Sequence, residues 1–307
     1  MVSSNTLITL SGVTKIYGRR AVLNEVSLSV EEGTATALIG RNGSGKSTLL
    51  AVMAGLLKLS SGVLRQSPPR LRIGYAPEAF TGTKLPAEQY LRHMGRISGI
   101  PPAPLERQIT ELLEAFHLQP FRKEPVVSFS KGMLQKVNLI QSLLGEPQLL
   151  LLDEPLSGLD LPAQYTLIDR LQELKRKGTA LVLSVHEPLC VEALEAGVHV
   201  LQAGRTVMVT SADKLRGESS SYLVCTELAE HEQQRMTGLP GFIAARPVQT
   251  LMAPKCTEWI VDTASADDFL RCILRQGGSV ISVEHRSGRS LLEEWMDPKQ
   301  KVEENAG

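Results

Sequence analysis

Apolar and polar residues alternate at positions 7–10 and again at 26–30, the two-residue period of half-buried strands. Thr34–Ile39 (TATALI) is a short apolar strand ending at Gly40, and Ser47–Leu57 reads as a helix with a glycine near its end. Polar turns within YGRRAVLNEVSLSVEEG separate the early strands. From 79 to 147 the period becomes helical. Glu88–Ile97 and Leu105–Leu118 are separated by GIPPAP at 99–104, and Ser130–Leu144 is stopped by Gly145 and Pro147. Strands resume as near-continuous apolar runs at Gln148–Leu152 and Thr179–Val185, the pattern of parallel strands buried on both faces. Ala163–Lys177 between them is an amphipathic crossover helix, and Val198–Leu201 and Thr206–Val209 flank QAGR as a hairpin. Beyond about residue 215 short strands (EWIVDT, SVISVEH) mix with helices at Ala266–Gln276 and Ser290–Met296, and the last residues are polar and frayed.

The pattern predicts an α/β chain of two domains. Residues 1–215 form a mostly parallel sheet flanked by helices, with an N-terminal antiparallel β subdomain and a helical insertion at about 79–147. Residues 216–307 form a small accessory α+β domain. A chain of 307 residues is long enough for both.

Composition narrows the partners. Lys+Arg and Asp+Glu balance at 33 each, so no global basic field points to nucleic acid, and none is expected as a partner. No apolar run reaches the roughly 18–20 residues that span a bilayer. MVSSNTLITL lacks the basic start of a secretory signal. A cytoplasmic protein is expected. Cys190, Cys225, Cys256 and Cys272 form no CxxC pair and have no histidine at ligand spacing, which reads as reduced structural thiols.

Gly40–Ser47 fits G-x-x-x-x-G-K-[ST] between a strand and a helix. Gly40, Gly43 and Gly45 let the N–H groups of Arg41, Asn42, Ser44 and their neighbours point at phosphates without Cβ clashes. Lys46 reaches the β/γ oxygens, Ser47 offers a hydroxyl to Mg²⁺, and the helix through Thr48 aims its N-terminus at the anion. Further on, LLLLDEP (149–155) ends a buried strand with two acids. Side chains alternate along a strand, so Asp153 and Glu154 can do separate work: Asp153 on the metal and Glu154 as general base for water.

Together these residues resemble the nucleotide-binding subunits of ATP-binding cassette (ABC) transporters, over about residues 5–215. GRNGSGKST is similar to the family's Walker A motif and LLLLDEP to its Walker B motif with the catalytic glutamate. FSKGM (129–133) resembles the signature motif. Ser130 and Gly132 match it, whereas Lys131 and Met133 depart from LSGGQ. SGLD (157–160) resembles the D-loop, which implies that Asp160 lies near a dimer seam. His186 resembles the switch histidine at the γ-phosphate, and Tyr17 the aromatic that stacks on adenine. Where the family places a Q-loop glutamine near Mg²⁺, GYAPEAF puts Glu78. That glutamate and HRSGRSLLEEWM near the C-terminus are similar to a subfamily exporting drugs, peptides or ions.

The resemblance implies an ATPase using ATP and Mg²⁺. Two copies, or this chain and a similar subunit, close around two nucleotides, and Ser130 and Gly132 of one chain meet the ATP of the other. It also implies an integral-membrane permease as partner, docked at 78–100, and a place on the cytoplasmic face of the cell membrane. The alternative reading is a soluble ATPase of this type that remodels a protein or nucleic-acid assembly.

Overall fold

The computed structural model describes residues 5–211, 220–226, 228–248 and 256–286. They fall into two compact units that part after Ser211.

In the first unit, β1 (Thr6–Tyr17), β2 (Arg20–Glu31) and β4 (Ser61–Gln66) make an antiparallel sheet in the order β2-β1-β4. Its register sets Leu10 opposite Leu28 and Ile8 opposite Val30. The second sheet runs β5-β6-β7-β3-β8-β9, from β5 (Ile73–Ala76), β6 (Leu149–Asp153), β7 (Ala180–Ser184), β3 (Ala35–Ile39), β8 (Gly197–Gln202) and β9 (Arg205–Thr210). All its pairs are parallel except β8–β9. Every residue of β6 and β7 is buried, as their unbroken apolar runs require. Helix α1 (Lys46–Met53) packs Leu49, Leu50 and Met53 into the cluster that joins the two sheets. Each such side chain contributes about 1.5–3 kcal/mol on burial.

Between β5 and β6, two neighbouring strands, the chain leaves the sheet as α2 (Ala87–Ile97), α3 (Pro102–Ala115) and α4 (Lys131–Leu143). After β6 it returns through α5 (Leu161–Arg176) and then α6 (Pro188–Ala193).

Several helix bounds differ from the sequence reading, α3 for one ending at Ala115 and not Leu118. α1 stops at Met53 instead of Leu57 because Gly55 turns left-handed at φ 74°. Leu56 N–H then bonds Ala51 O at 2.9 Å and Gly55 N–H bonds Val52 O at 3.0 Å, the paired bonds that close a Schellman end. α3 starts at Pro102 rather than Leu105, since a proline in the first turn lacks only an N–H that has no helical partner. Strands β4 and β5 and helix α6 were not foreseen.

The second unit orders β10 (Ser220–Thr226), α7 (Glu230–Thr237), β11 (Phe242–Val248), β12 (Cys256–Asp262), α8 (Ala266–Arg275) and β13 (Val280–Arg286). Its antiparallel sheet runs β11-β12-β10-β13, two interleaved β-α-β halves. Leu223, Trp259, Phe269 and Ile273 form its core. The sequence reading missed β10, α7 and β11, and its helix Ser290–Met296 and the segment HRSGRSLLEEWM lie, but for His285 and Arg286, outside the described residues.

One buried base makes the first unit acid-sensitive. His199 on β8 is 1% exposed; its Nε2 meets Thr206 Oγ1 at 2.8 Å, and its Nδ1 is buried without a partner among the described residues. Burial pushes its pKa from 6.5 down to about 4. The folded state therefore refuses a proton that the unfolded chain accepts. This costs nothing above about pH 6.5, and stability falls as the pH drops from there towards 4. By pH 4.5 the loss is about 2–3 kcal/mol. Urea unfolding at pH 7 and 4.5 should show His199→Gln losing that much less stability than the parent across the interval; equal losses would remove His199 as the cause.

Candidate active site

The loop from Gly40 to Gly45 connects β3 to α1. Two of its glycines cannot be replaced. At Gly40 (φ +154°) a Cβ would stand 2.2 Å from Leu201 O, and at Gly45 (φ +108°) 2.7 Å from Val22 O. Gly45 is also the N-cap of α1 and brings no side-chain cap, so the first amides of the helix are left for an external acceptor. Ser44 Oγ is buried and without a partner among the described residues. An orphaned hydroxyl, uncapped amides and a cradle that a Cβ would fill fit an anion of phosphate size. Arg41, Asn42 and Gly43 form the exposed rim of this loop, with Ser47 exposed and Thr48 half-buried in the first turn of α1.

Lys46 points its ammonium back into the loop. Its Nζ donates to Gly40 O at 2.6 Å and to Arg41 O at 3.4 Å, and the residue is 5% exposed. Burial lowers its pKa, and the nearby carboxylates of Glu154, Asp153 and Glu78 act against that, in this order. Three acids from two strand ends thus bear on one lysine, although Glu78 itself is exposed beyond β5.

The last residue of β6 is Asp153, which is buried. It accepts a hydrogen bond from Ser184 Oγ at 2.5 Å, and the same hydroxyl accepts from Glu154 N–H at 2.9 Å. Glu154 N–H also reaches Ser184 O at 3.2 Å. Ser184 therefore clamps both acids across the β6–β7 pair, and the sequence reading missed it. The available signal was its place at the end of an apolar strand, two residues before His186. Glu154 sits at φ 48°, a left-handed conformation that costs a non-glycine residue about 1–2 kcal/mol. The turn swings its carboxylate away from Asp153 and onto His186, whose Nε2 lies 2.6 Å from Glu154 Oε1. Both open onto a hollow of ≈ 320 Å³ that Ser157, Gly158 and Gln164 also line.

The remaining site residues stand apart from this cluster. Tyr17, at the end of β1, is half-exposed, with Lys15 Nζ 4.9 Å from the centre of its ring. Lys15 is held in turn by Lys58 O at 2.8 Å, so one face of the phenol is taken. Ser130 caps α4, its Oγ accepting from Met133 N–H at 3.3 Å. Gly132 lies against the Gly158 carbonyl, which a Cβ would approach to 2.8 Å. Among the described residues, neither hydrogen-bonds Lys46, Asp153 or Glu154. The carboxylate of Asp160 is already engaged. It caps α5 by accepting from Ala163 N–H at 2.9 Å and pairs with Lys136 at 3.0 Å. The Ala163 bond, then Lys136, hold its pKa below the usual carboxylate range.

For Mg²⁺ the donor set suits a shared ion. No group of three or more acid, histidine or cysteine side chains able to hold a metal occurs among the described residues. Mg²⁺ keeps waters and takes one or two carboxylates together with substrate phosphates, which Asp153, Glu78 and the Ser47 hydroxyl can provide beside the loop.

The chain is similar to known proteins. The family model described as ABC transporter matches residues 23–157. The chain is 34% identical over 291 residues to the uncharacterized ABC transporter ATP-binding protein YxlF of Bacillus subtilis, covering 92% of this chain and 96% of that one. It is 32% identical over 240 residues to the daunorubicin resistance ATP-binding protein DrrA3 of Streptomyces coeruleorubidus, covering 75% of this chain and 76% of that one. A solved structure of an ATP-binding subunit of an ABC transporter matches with a TM-score of 0.64 at 32% identity, over 69% of this chain and 92% of its own.

Proposed function

The chain belongs to the ATP-binding subunits of ABC transporters, ATPases that dimerise on ATP, and from that premise we propose how its residues divide the work. The observation that carries the proposal is the Glu154–His186 contact of 2.6 Å beside the loop holding Lys46. ATP phosphates take the amides of Gly40–Thr48, and Lys46 gives up the Gly40 and Arg41 carbonyls for the β/γ oxygens. Tyr17 offers its free face to adenine. Ser47, Asp153 and Glu78 hold Mg²⁺, which when bound neutralises charge developing on the transferred phosphoryl group. Glu154 takes the proton of the attacking water, and His186 orients that carboxylate and reaches the γ-phosphate.

The site is half of a composite one. Ser130 and Gly132 make no hydrogen bond to their own Lys46, Asp153 or Glu154, and the first-turn amides of α4 that the Ser130 cap leaves over suit the ATP of a second subunit. Binding that is tighter in the closed pair drives closure, and loss of the γ-phosphate contacts releases it. Asp160 supports this seam through the α5 cap. Ser130→Arg therefore leaves ATP binding by the isolated chain intact and lowers ATPase activity at least about tenfold, since a buried extra cation and its bulk block closure. Nucleotide binding and turnover measured side by side check this; unchanged turnover would refute the composite site.

We further propose a separate integral-membrane permease as partner, with the chain at the cytoplasmic face and segment 78–100 at the contact, and export as the direction. No helix among the described residues is long and apolar enough to cross a membrane, and Glu78 supports the exporter reading. Recovery in a membrane fraction that depends on a co-encoded protein with about six apolar spans tests the partner, and accumulation against efflux in whole cells tests the direction. The relatives are transporter subunits, which does not favour the remodelling alternative.

A further inference from the structure

We propose that Asn138 is a positioning residue, the middle of an amide ladder that ties the α4 helix to the chain segments bearing Glu78 and Glu154. The proposal rests on the roles given above to those two acids.

Gln135, Asn138 and Gln141 recur every three residues and so share one side of α4. Asn138 is 0% exposed and Gln135 7%. Asn138 Nδ2 donates to Pro77 O at 2.7 Å, directly before Glu78, and to Gln135 Oε1 at 3.4 Å. Gln135 Nε2 reaches Pro155 O at 3.4 Å and Glu154 O at 3.5 Å. Gln141 Nε2 donates to Tyr75 O at 2.6 Å and to Asn138 Oδ1 at 3.5 Å. The result is one continuous run of hydrogen bonds from the β6 exit, through three amides, to the end of β5.

A fully buried primary amide in a helix is costly. It lowers helix propensity and must satisfy two donors and an acceptor away from water. Here both donors and the acceptor of Asn138 are used, and such a network is stiff because any loosened member leaves a buried polar group unpaired. Its end points are backbone carbonyls of the two segments that carry the proposed metal and base carboxylates. The same helix begins at Ser130 and Gly132. A shift of α4, as when its N-terminus takes up an anion, is thereby passed to Glu78 and Glu154 together.

The test is steady-state ATPase of the full chain with Mg²⁺ titrated at fixed ATP. Asn138→Leu keeps the branching and the number of heavy atoms of the side chain and removes every hydrogen bond it makes. We expect kcat to fall about tenfold, the equivalent of one buried hydrogen bond left unmade, with KM for ATP within about twofold. The Mg²⁺ concentration for half-maximal activity rises about threefold or more. Gln141→Met, which is only partly buried, moves both readouts the same way by less and keeps the test open if Asn138→Leu does not fold. In a Glu78→Ala background Asn138→Leu adds no further Mg²⁺ shift. Folded Asn138 and Gln141 variants with unchanged kcat and Mg²⁺ dependence would overturn the ladder, as would a fall in kcat matched by a rise in KM, or shifts that add fully to those of Glu78→Ala. If instead Glu78→Ala leaves Mg²⁺ dependence untouched, the role of Glu78 fails while the ladder to Glu154 is judged on kcat alone.

Discussion

Glu154→Gln should yield a chain that binds ATP as tightly as the parent, turns it over at least about a hundredfold more slowly and accumulates as a dimer. Glutamine keeps the length of the side chain and its hydrogen bond to His186, so the contact at 2.6 Å survives in kind. The backbone at φ 48° is held by N–H bonds to Ser184, which the substitution does not touch. What is lost is a carboxylate able to take a proton from water. Phosphate binding depends on Gly40–Thr48 and Lys46 and is left in place, so the ATP-bound pair forms and persists because the step that reopens it is blocked. ATPase rates together with size exclusion, with and without ATP, read both halves of the expectation. Normal turnover would remove Glu154 as the base, and slow turnover with no dimer would separate the base from the clamp.

How much of this was legible in the sequence follows from where chemistry constrains spacing. The loop at Gly40–Ser47 must be glycine-rich because Leu201 and Val22 carbonyls stand where a Cβ would be, and that requirement is visible as residue type. The acids at 153–154 and His186 end apolar strands, and such breaks in an apolar run are plain on the page. The supports of these groups were not. Ser184 extends an apolar strand by one small residue, and its two bonds to the neighbouring strand end have no local signature. Gln135, Asn138 and Gln141 carry no sign of burial in the sequence, although two of the three are buried, because their partners include carbonyls distant in sequence. Asp160 is one of the D-loop residues by position, yet the structure engages its carboxylate as the cap of α5 and against Lys136, a partner 24 residues away in sequence. Strand β4 escaped because its residues are mostly exposed, and β5 because four residues are too few to show a period.

Lys46→Ala should lose about ten- to a hundredfold in ATP affinity, the range for removing a charge-assisted hydrogen bond from a phosphate site. The nucleotide-free chain should be little affected. Lys46 is buried, and burial depresses its pKa despite three carboxylates nearby, so it is an ammonium held at a cost, bonded among the described residues to the Gly40 and Arg41 carbonyls. Deleting a buried charge removes its desolvation cost along with its bond to the buried Gly40 carbonyl, and the two offset, so the folded state stays about as stable as before. The contrast appears in thermal unfolding. The parent's Tm rises on adding ATP with EDTA, since a ligand bound only by the folded state stabilises it by RT ln(1 + [L]/Kd). The variant's Tm without nucleotide stays near the parent's, and its rise at the same ATP concentration shrinks towards zero. An undiminished rise would show that phosphate binding does not run through Lys46 and would undo the loop assignment. A variant already unfolded without ATP would mean that the lysine's bonds to Gly40 and Arg41 hold the loop together, and Lys46→Met, which keeps the buried stem, would then separate the two roles.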